Sequence, residues 1–313
     1  MTRIIFVPQF PSKLRYQEFF FTEFKKQFEK HFDEVIVLGE SYVSMIGSME
    51  ARSDIGLFSS LSHSINMESN QINEYMNLNI TKDDFLFLSD LSYPGFFSNI
   101  LYHKPIKNAF GYLHASSKNK YDIFASVRYS KFPCETAHSK LFKKVFIGSE
   151  YHKNKLGWKN TKVIGLPTPP FKTFKSEKKY DIISVCRPNK QKITKSIEDC
   201  VERDFGKIVR KEFNYWEQYY KFLSEGNVLL ITSKEDTFNY TVLESVMNGT
   251  VVLAPNRCAF PELLEKDYLY SNYDELRTKI WQVLNGQLLP PEKLKNQNLV
   301  DNFYENLINE MKG

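Results

Sequence analysis

The chain has no run of eighteen apolar residues, and its N-terminal Ile4-Ile5-Phe6-Val7 meets Pro8 at once, so neither a membrane-spanning helix nor a secretory segment is expected. Cysteine is scarce: Cys134, Cys186, Cys200 and Cys258 are far apart with no Cys-x-x-Cys pair. That spacing argues against disulfides or a zinc site and for reduced thiols in a cytoplasmic protein. No short repeat or low-complexity segment is present. Acidic residues are scarce in one region. Between Lys104 and Lys162 three acids (Asp122, Glu135, Glu150) stand against thirteen Lys/Arg, while the whole chain nets only +5, so the remainder is net acidic. This excess reads either as a solvated lysine-rich face or as a surface for a polyanion, a nucleic acid or an anionic membrane.

What is present is enough to build a large core. At 313 residues and 42% apolar, the length suits two domains. Strand-like runs at Ile4-Val7, Val35-Leu38, Phe85-Leu88, Ala109-Leu113 and Lys144-Ile147 alternate with helical stretches such as Arg15-Phe32, the pattern of a parallel sheet. Gly165-Leu166-Pro167-Thr168-Pro169-Pro170 then predicts a stiff connector, because proline blocks helix and interior strand alike. A second series follows: strands Tyr180-Val185, Lys207-Val209, Val228-Ile231 and Thr250-Ala254, with helices near Lys192-Arg203, Tyr215-Ser224 and Tyr240-Asn248. The fold class is α/β, two Rossmann-like doubly wound units, with domains over 1–165 and 166–290 and a C-terminal helical segment over 291–313.

In such units ligands sit beyond the carboxyl ends of the strands, where loops lead into helix N-termini. The stretch Thr232-Ser233-Lys234-Glu235-Asp236-Thr237-Phe238-Asn239 lies there, ahead of a helix that Gly249 ends. The unpaired N–H groups of that helix start could seat a phosphate or sugar hydroxyls. Asp236 and Glu244, seven residues apart, could accept hydrogen bonds from vicinal hydroxyls, although helix capping by Asp236 and a solvated Glu244 would produce the same letters.

Residues 233–264 resemble the signature of retaining GT-B glycosyltransferases, in particular glycosyltransferase family 4. The resemblance is carried by Asp236, the loop Thr237-Phe238-Asn239, Glu244, then Gly249-Thr250-Val251-Val252 and Pro261-Glu262-Leu263. Upstream, Arg187-Pro188-Asn189-Lys190-Gln191-Lys192 follows strand Ile182-Val185 and is similar to the family's basic pair. A departing diphosphate gathers negative charge, which fixed cations beside it would stabilise. The resemblance implies a GT-B fold and a nucleoside diphosphate sugar, UDP-linked, as donor, with no cofactor and no metal; the chain also has no Asp-x-Asp. Arg187 and Lys192 would hold the diphosphate, Glu244 the ribose and Asp236 the sugar hydroxyls. Thr237, Phe238 and Asn239 would offer backbone N–H groups. His114, after strand Ala109-Leu113, matches a histidine placed near the donor sugar and reads equally as a core residue. Phe303, Leu307, Ile308 and Met311 resemble the C-terminal helix that returns to the first domain. Transfer with retention would then run by front-face attack, the leaving phosphate taking the acceptor proton.

The chain departs from the pattern at three places. Asp236 stands where glutamate is usual, Thr237 and Asn239 where small glycines are usual, and Pro8-Gln9-Phe10-Pro11 replaces a glycine-rich loop. For the acceptor, Lys118, Lys120, Arg128, Lys131, Lys140, Lys143 and Lys144, interleaved with Tyr102, Tyr112, Tyr121, Tyr129 and Phe132, point to a nucleic acid, most concretely a hydroxymethylated DNA base as in phage DNA modification. The alternatives are a surface or lipid-linked glycan handled at an anionic membrane, or an inactive sugar-nucleotide-binding module.

Overall fold

The computed structural model describes residues 2–13, 16–47, 56–91, 97–121, 128–186 and 193–313, with the backbone alone for 56–61 and 128. Six strands form the first sheet: β1 (Arg3–Val7), β2 (Glu34–Val37), β3 (Phe85–Leu88), β4 (Asn108–Tyr112), β5 (Lys144–Ile147) and β6 (Thr161–Val163). Their order is β2-β1-β3-β4-β5-β6, and every pairing is parallel. The second sheet holds β7 (Tyr180–Ile183), β8 (Gly226–Leu230), β9 (Val251–Pro255) and β10 (Leu269–Tyr270), in the order β10-β9-β8-β7, again all parallel.

Helices separate the strands. They are α1 (Tyr16–Phe28), α2 (Glu40–Ile46), α3 (Gly56–Asn77), α4 (Phe97–Ile100), α5 (Arg128–Ser139) and α6 (Glu150–Leu156) in the first half. The second half carries α7 (Lys195–Phe205), α8 (Trp216–Glu225), α9 (Tyr240–Met247), α10 (Phe260–Leu263), α11 (Tyr273–Leu284), α12 (Asn298–Asp301) and α13 (Phe303–Lys312). Among the described residues, no helix is long and apolar enough to cross a membrane.

The strands are short apolar runs because helices cover both faces of each sheet, so both side-chain sets are buried. Helix α1 puts Phe19, Phe20, Phe24 and Phe28 on one buried face, where they meet Phe6 and Phe87 of the sheet. Phe303, Leu307, Ile308 and Met311 of α13 enter that same core, so the C-terminal helix packs on the first sheet. Burying four such side chains contributes on the order of 6–12 kcal/mol against leaving them in water.

In the first sheet the strand order reverses about β1, which opens a crevice at the carboxyl ends. There β2 lies on one side of β1 and β3 on the other. In the second sheet, the segment expected as strand Lys207-Val209 makes only an isolated parallel bridge, Val209 with Ile183, while β8 takes the opposite side of β7. Gly206 ends α7 directly ahead of this segment.

The proline connector is packed rather than solvated. Ile164 and Leu166 are buried, Tyr112 donates to the Gly165 carbonyl at 2.6 Å, and Gly165 has φ 77° directly under the Leu299 backbone. A side chain there would require both a left-handed backbone and room that Leu299 fills.

Candidate active site

Strand β8 leads into buried Thr232 and Ser233 and then the loop 234–239, which ends at Asn239, the N-cap of α9. The Asn239 side chain has two roles. Its oxygen accepts from Val242 N at 3.3 Å, capping the helix, and its nitrogen donates to Asp236 Oδ2 at 3.1 Å. The cap is thus Asn239, and Asp236 is a buried carboxylate held in place by it. Gly249, with φ 67°, lies just past the end of α9 and lets the chain turn into β9.

Glu244 lies in the second turn of α9 and is only 5% exposed. Its two oxygens accept from neighbouring phenols of α8, Oε2 from Tyr219 at 2.6 Å and Oε1 from Tyr220 at 3.0 Å. Burial pushes the carboxyl up to about 7, with the two phenols pulling the other way. Tyr219 and Tyr220 are functional candidates that no spacing in the sequence marks. The alternative of a solvated Glu244 is not what the fold shows.

The loop crosses to the first sheet. Thr237 Oγ1 donates to the His114 carbonyl at 2.8 Å, and Ser149 Oγ donates to the Thr237 carbonyl. Gly148 permits this approach, since a Cβ there would stand 3.0 Å from Phe238 Cβ. Glu235 and Glu262 complete the junction. Glu235 is buried and accepts from Tyr121 N and Tyr151 OH, each at 3.1 Å, and pairs with Lys155. Glu262 accepts from the first amides of α6, Glu150 N at 2.8 Å and Tyr151 N at 2.7 Å. A carboxylate at that helix start is favoured by the dipole and fills otherwise unpaired donors.

His114 follows β4, its ring stacked on Tyr16 (centroids 4.1 Å) and against Tyr112 and Phe20. One ring nitrogen bonds the Ser89 backbone, while Nε2 is buried with no protein partner among the described residues. Burial holds the imidazole down at about 3, so it is neutral and offers a hydrogen bond rather than a charge. His152, on α6, is fully buried with both ring nitrogens unpartnered among the described residues and is likewise held at about 3. Tyr16 OH reaches Asp90 Oδ2 at 2.9 Å. No motif marks Asp90, although its place two residues after β3 is a signal that could have found it.

Arg187 and Lys192 lie outside the described residues. Of the lysine-rich stretch, the structure corrects the charge count. Lys131 lies 3.4 Å from Glu135, an acid of the same stretch, whereas Lys144 and Lys162 share Glu310 of α13 at 2.7 Å each, which takes one positive charge off the local balance. Glu310 is far away in sequence, which is why a local count misses it. Lys118, Lys120, Lys140 and Lys143 are exposed, with Lys118 over the Phe132 ring at 4.8 Å; Arg128 starts α5.

No protein-family model matches the chain. Among curated proteins, a tRNA-queuosine alpha-mannosyltransferase of Drosophila melanogaster is 27% identical over 124 residues, which are 40% of this chain and only 31% of that protein. Among solved structures, a sucrose-phosphate synthase from Thermosynechococcus elongatus superposes with TM-score 0.61 at 11% identity, covering 100% of this chain and 94% of its own. A trehalose-6-phosphate synthase gives 0.62 at 10% identity over 99% of both chains. HepE of Anabaena, solved with UDP-glucose, gives 0.57 at 11% identity over 99% and 95%. At such identities the likeness is one of fold, and the fold of this chain is GT-B, two Rossmann-like parallel sheets facing across a cleft.

Proposed function

We propose that the chain is a retaining glycosyltransferase, metal-independent and cytoplasmic, moving a sugar from a nucleoside diphosphate sugar to an acceptor hydroxyl. Residues 166–290 hold the donor, 1–165 face the acceptor, and 291–313 tie the two together. The observation that carries this reading is the loop 236–239, which sets a buried carboxylate and a helix N-terminus against His114 across the cleft. In the reaction, Arg187 and Lys192 neutralise the departing diphosphate and the start of α9 adds its dipole. Asp236 accepts from sugar hydroxyls, and neutral His114 faces the sugar without adding a charge. Glu244 takes the ribose, its remaining lone pairs and the Tyr219 hydroxyl completing the contact. The acceptor oxygen attacks the face from which the phosphate leaves, and its proton passes to that phosphate.

For the acceptor we propose a modified base in a nucleic acid. The similarity to an enzyme named for the queuosine of tRNA supports this class, as do the exposed Lys118, Lys120, Lys140 and Lys143. The donor reading is tested by nucleoside diphosphate release from a panel of nucleotide sugars. Asp236→Ala is expected to lower the release by about two orders of magnitude, as the loss of a positioned polar group does. Release from none of the panel, or release unaffected by the substitution, refutes it. The acceptor reading is tested by mass spectrometry of tRNA and of hydroxymethylated DNA after incubation. Sugar found only on glycans or lipids refutes it.

A further inference from the structure

The cations of the lysine-rich stretch fall on two opposite edges of the first sheet. Strands β4, β5 and β6 are parallel, so the turns that lead into them lie together at their amino ends, away from the carboxyl ends where Thr237 and Ser149 bring the donor loop across. Those turns, 101–107, 140–143 and 157–160, hold Lys104, Lys107, Lys140, Lys143 and Lys159 and no acid. Lys104 is occupied by the backbone, its ammonium donating to the carbonyls of Tyr75, Met76 and Leu78 at 3.0, 2.9 and 2.6 Å. Lys107, Lys140, Lys143 and Lys159 are exposed. The turns that carry them are tied together: Lys143 N donates to the Ala109 carbonyl at 2.8 Å, and the Asn160 side chain donates to the carbonyls of Ser139 and Phe142 at 2.8 and 2.9 Å. Tyr102, 54% exposed, stands at the same edge with its ring 6.0 Å from that of His138 near the end of α5. Lys118 and Lys120, which follow β4, mark the other edge. Helix α5 runs between the two. Its one acid, Glu135, is buried and accepts from Ser117, and its exposed side chains from Tyr129 to Ala137 are uncharged.

The twelve residues of α5 span about 18 Å. Along a duplex that length carries about five phosphates per strand. A small acceptor cannot reach both sets of cations, whereas an extended polyanion gains from counterion release at each. Resting on the nucleic-acid reading of the acceptor, we propose that the amino edge of β4, β5 and β6 is a second docking surface, which grips the sugar–phosphate backbone of the acceptor while the cleft holds the base to be modified. Tyr102 offers its ring to an unpaired base beside that backbone. The substrate is then a structured nucleic acid with about five or more phosphates between the modified base and the gripped segment, and a free nucleoside is a poor acceptor. Glu310 limits the grip, since it holds Lys144 and Lys162 beside this edge at 2.7 Å each.

The experiment measures binding of the full chain to unfractionated tRNA and to RNA hairpins of increasing stem length, by fluorescence anisotropy across a salt series. A triple variant, Lys107→Glu, Lys140→Glu and Lys143→Glu, is compared with the same charge change at Lys207, Lys221 and Lys293, exposed lysines of the second half, and the urea midpoint of each is recorded. The parent chain is expected to gain affinity once the stem exceeds about five base pairs. The amino-edge variant is expected to lose that gain and to flatten the salt dependence of tRNA binding by about 0.9 for each contact removed, while the second-half variant keeps both. Glu310→Ala, which bares Lys144 and Lys162, is expected to tighten tRNA binding. Equal weakening by the two triple variants, a stem-length gain that is absent or survives in the amino-edge variant, or no tightening by Glu310→Ala overturns the inference. So does an amino-edge variant that keeps its tRNA binding and loses binding to phosphatidylserine vesicles. Nucleotide-sugar hydrolysis by a chain that binds no nucleic acid removes the acceptor reading and this docking surface with it.

Discussion

Glu244 shows how one residue's surroundings set its chemistry. Its carboxyl is raised from the ordinary range to about 7 by burial, so the folded chain binds a proton there that the unfolded chain has lost. Where the folded value lies above the unfolded one for an acid, stability falls as pH rises between the two and the full cost is present above the higher value. Urea unfolding at about pH 5 and about pH 8 should therefore show Glu244→Gln gaining on the parent chain at the higher pH, by up to roughly 3 kcal/mol. His114 and His152 act in the opposite sense. Both are neutral in the fold at about 3, so the unfolded state takes up their protons first and acid destabilises the fold below about pH 6.5. Asn239→Ala removes both the α9 cap and the Asp236 tether, and should cost about 1 kcal/mol of stability together with a drop in turnover; the cap alone would change stability only. Asn239 reads in the sequence as a departure from a small glycine, and its second role becomes visible only with Asp236 beside it.

At the scale of elements, α13 joins the two ends of the chain. Phe303 is fully buried against Phe24 and Tyr112, and Glu310 of the same helix pairs with Lys144 and Lys162. Phe303→Ala is expected to cost about 3–5 kcal/mol, measured by chemical denaturation, because the cavity opens in the core of the first sheet. Glu310→Ala should cost little, since the lysines it pairs are part-exposed, yet it restores two positive charges to the face near β5 and β6 and should tighten nucleic-acid binding at low salt. The element pattern itself is largely legible in the sequence. Strand and helix positions follow from apolar runs and 3.6-residue spacing, and their ends shift by up to four residues, as where α1 stops at Phe28 rather than Phe32, because hydrogen bonding rather than hydrophobicity sets the terminus. Lys207-Val209 is the exception: its apolar residues promise a strand, but only one pair finds a ladder.

For the whole molecule, the two sheets are held in one arrangement by a small set of polar contacts at the cleft. Glu235 draws Tyr121, Tyr151 and Lys155 of the first half, and Glu262 caps α6. Glu235→Ala leaves Lys155 as a largely buried cation without this carboxylate, so a destabilisation of about 3–5 kcal/mol is expected, seen as lower resistance to denaturant and faster proteolysis. The exposed lysines belong to this scale as well. Reversing Lys118, Lys120, Lys140 and Lys143 to Glu should weaken binding to tRNA or duplex DNA and flatten its salt dependence by about 0.9 for each phosphate that is no longer neutralised. An unchanged slope would show that the basic face is only solvated.

The sequence by itself determined the α/β class, the alternation that makes two parallel sheets and the positions of Asp236, Glu244 and His114 in loops or helices beyond strand ends, because these depend on periodicity and short-range order. What it could not determine was which groups meet. That Glu310 pairs with Lys144 and Lys162, that two phenols of α8 satisfy Glu244 and that Glu235 and Glu262 hold the first half are decisions of the tertiary structure. Charge, hydrogen bonding and burial act through space at a few ångströms, and the partners that set them are up to 166 residues apart along the chain.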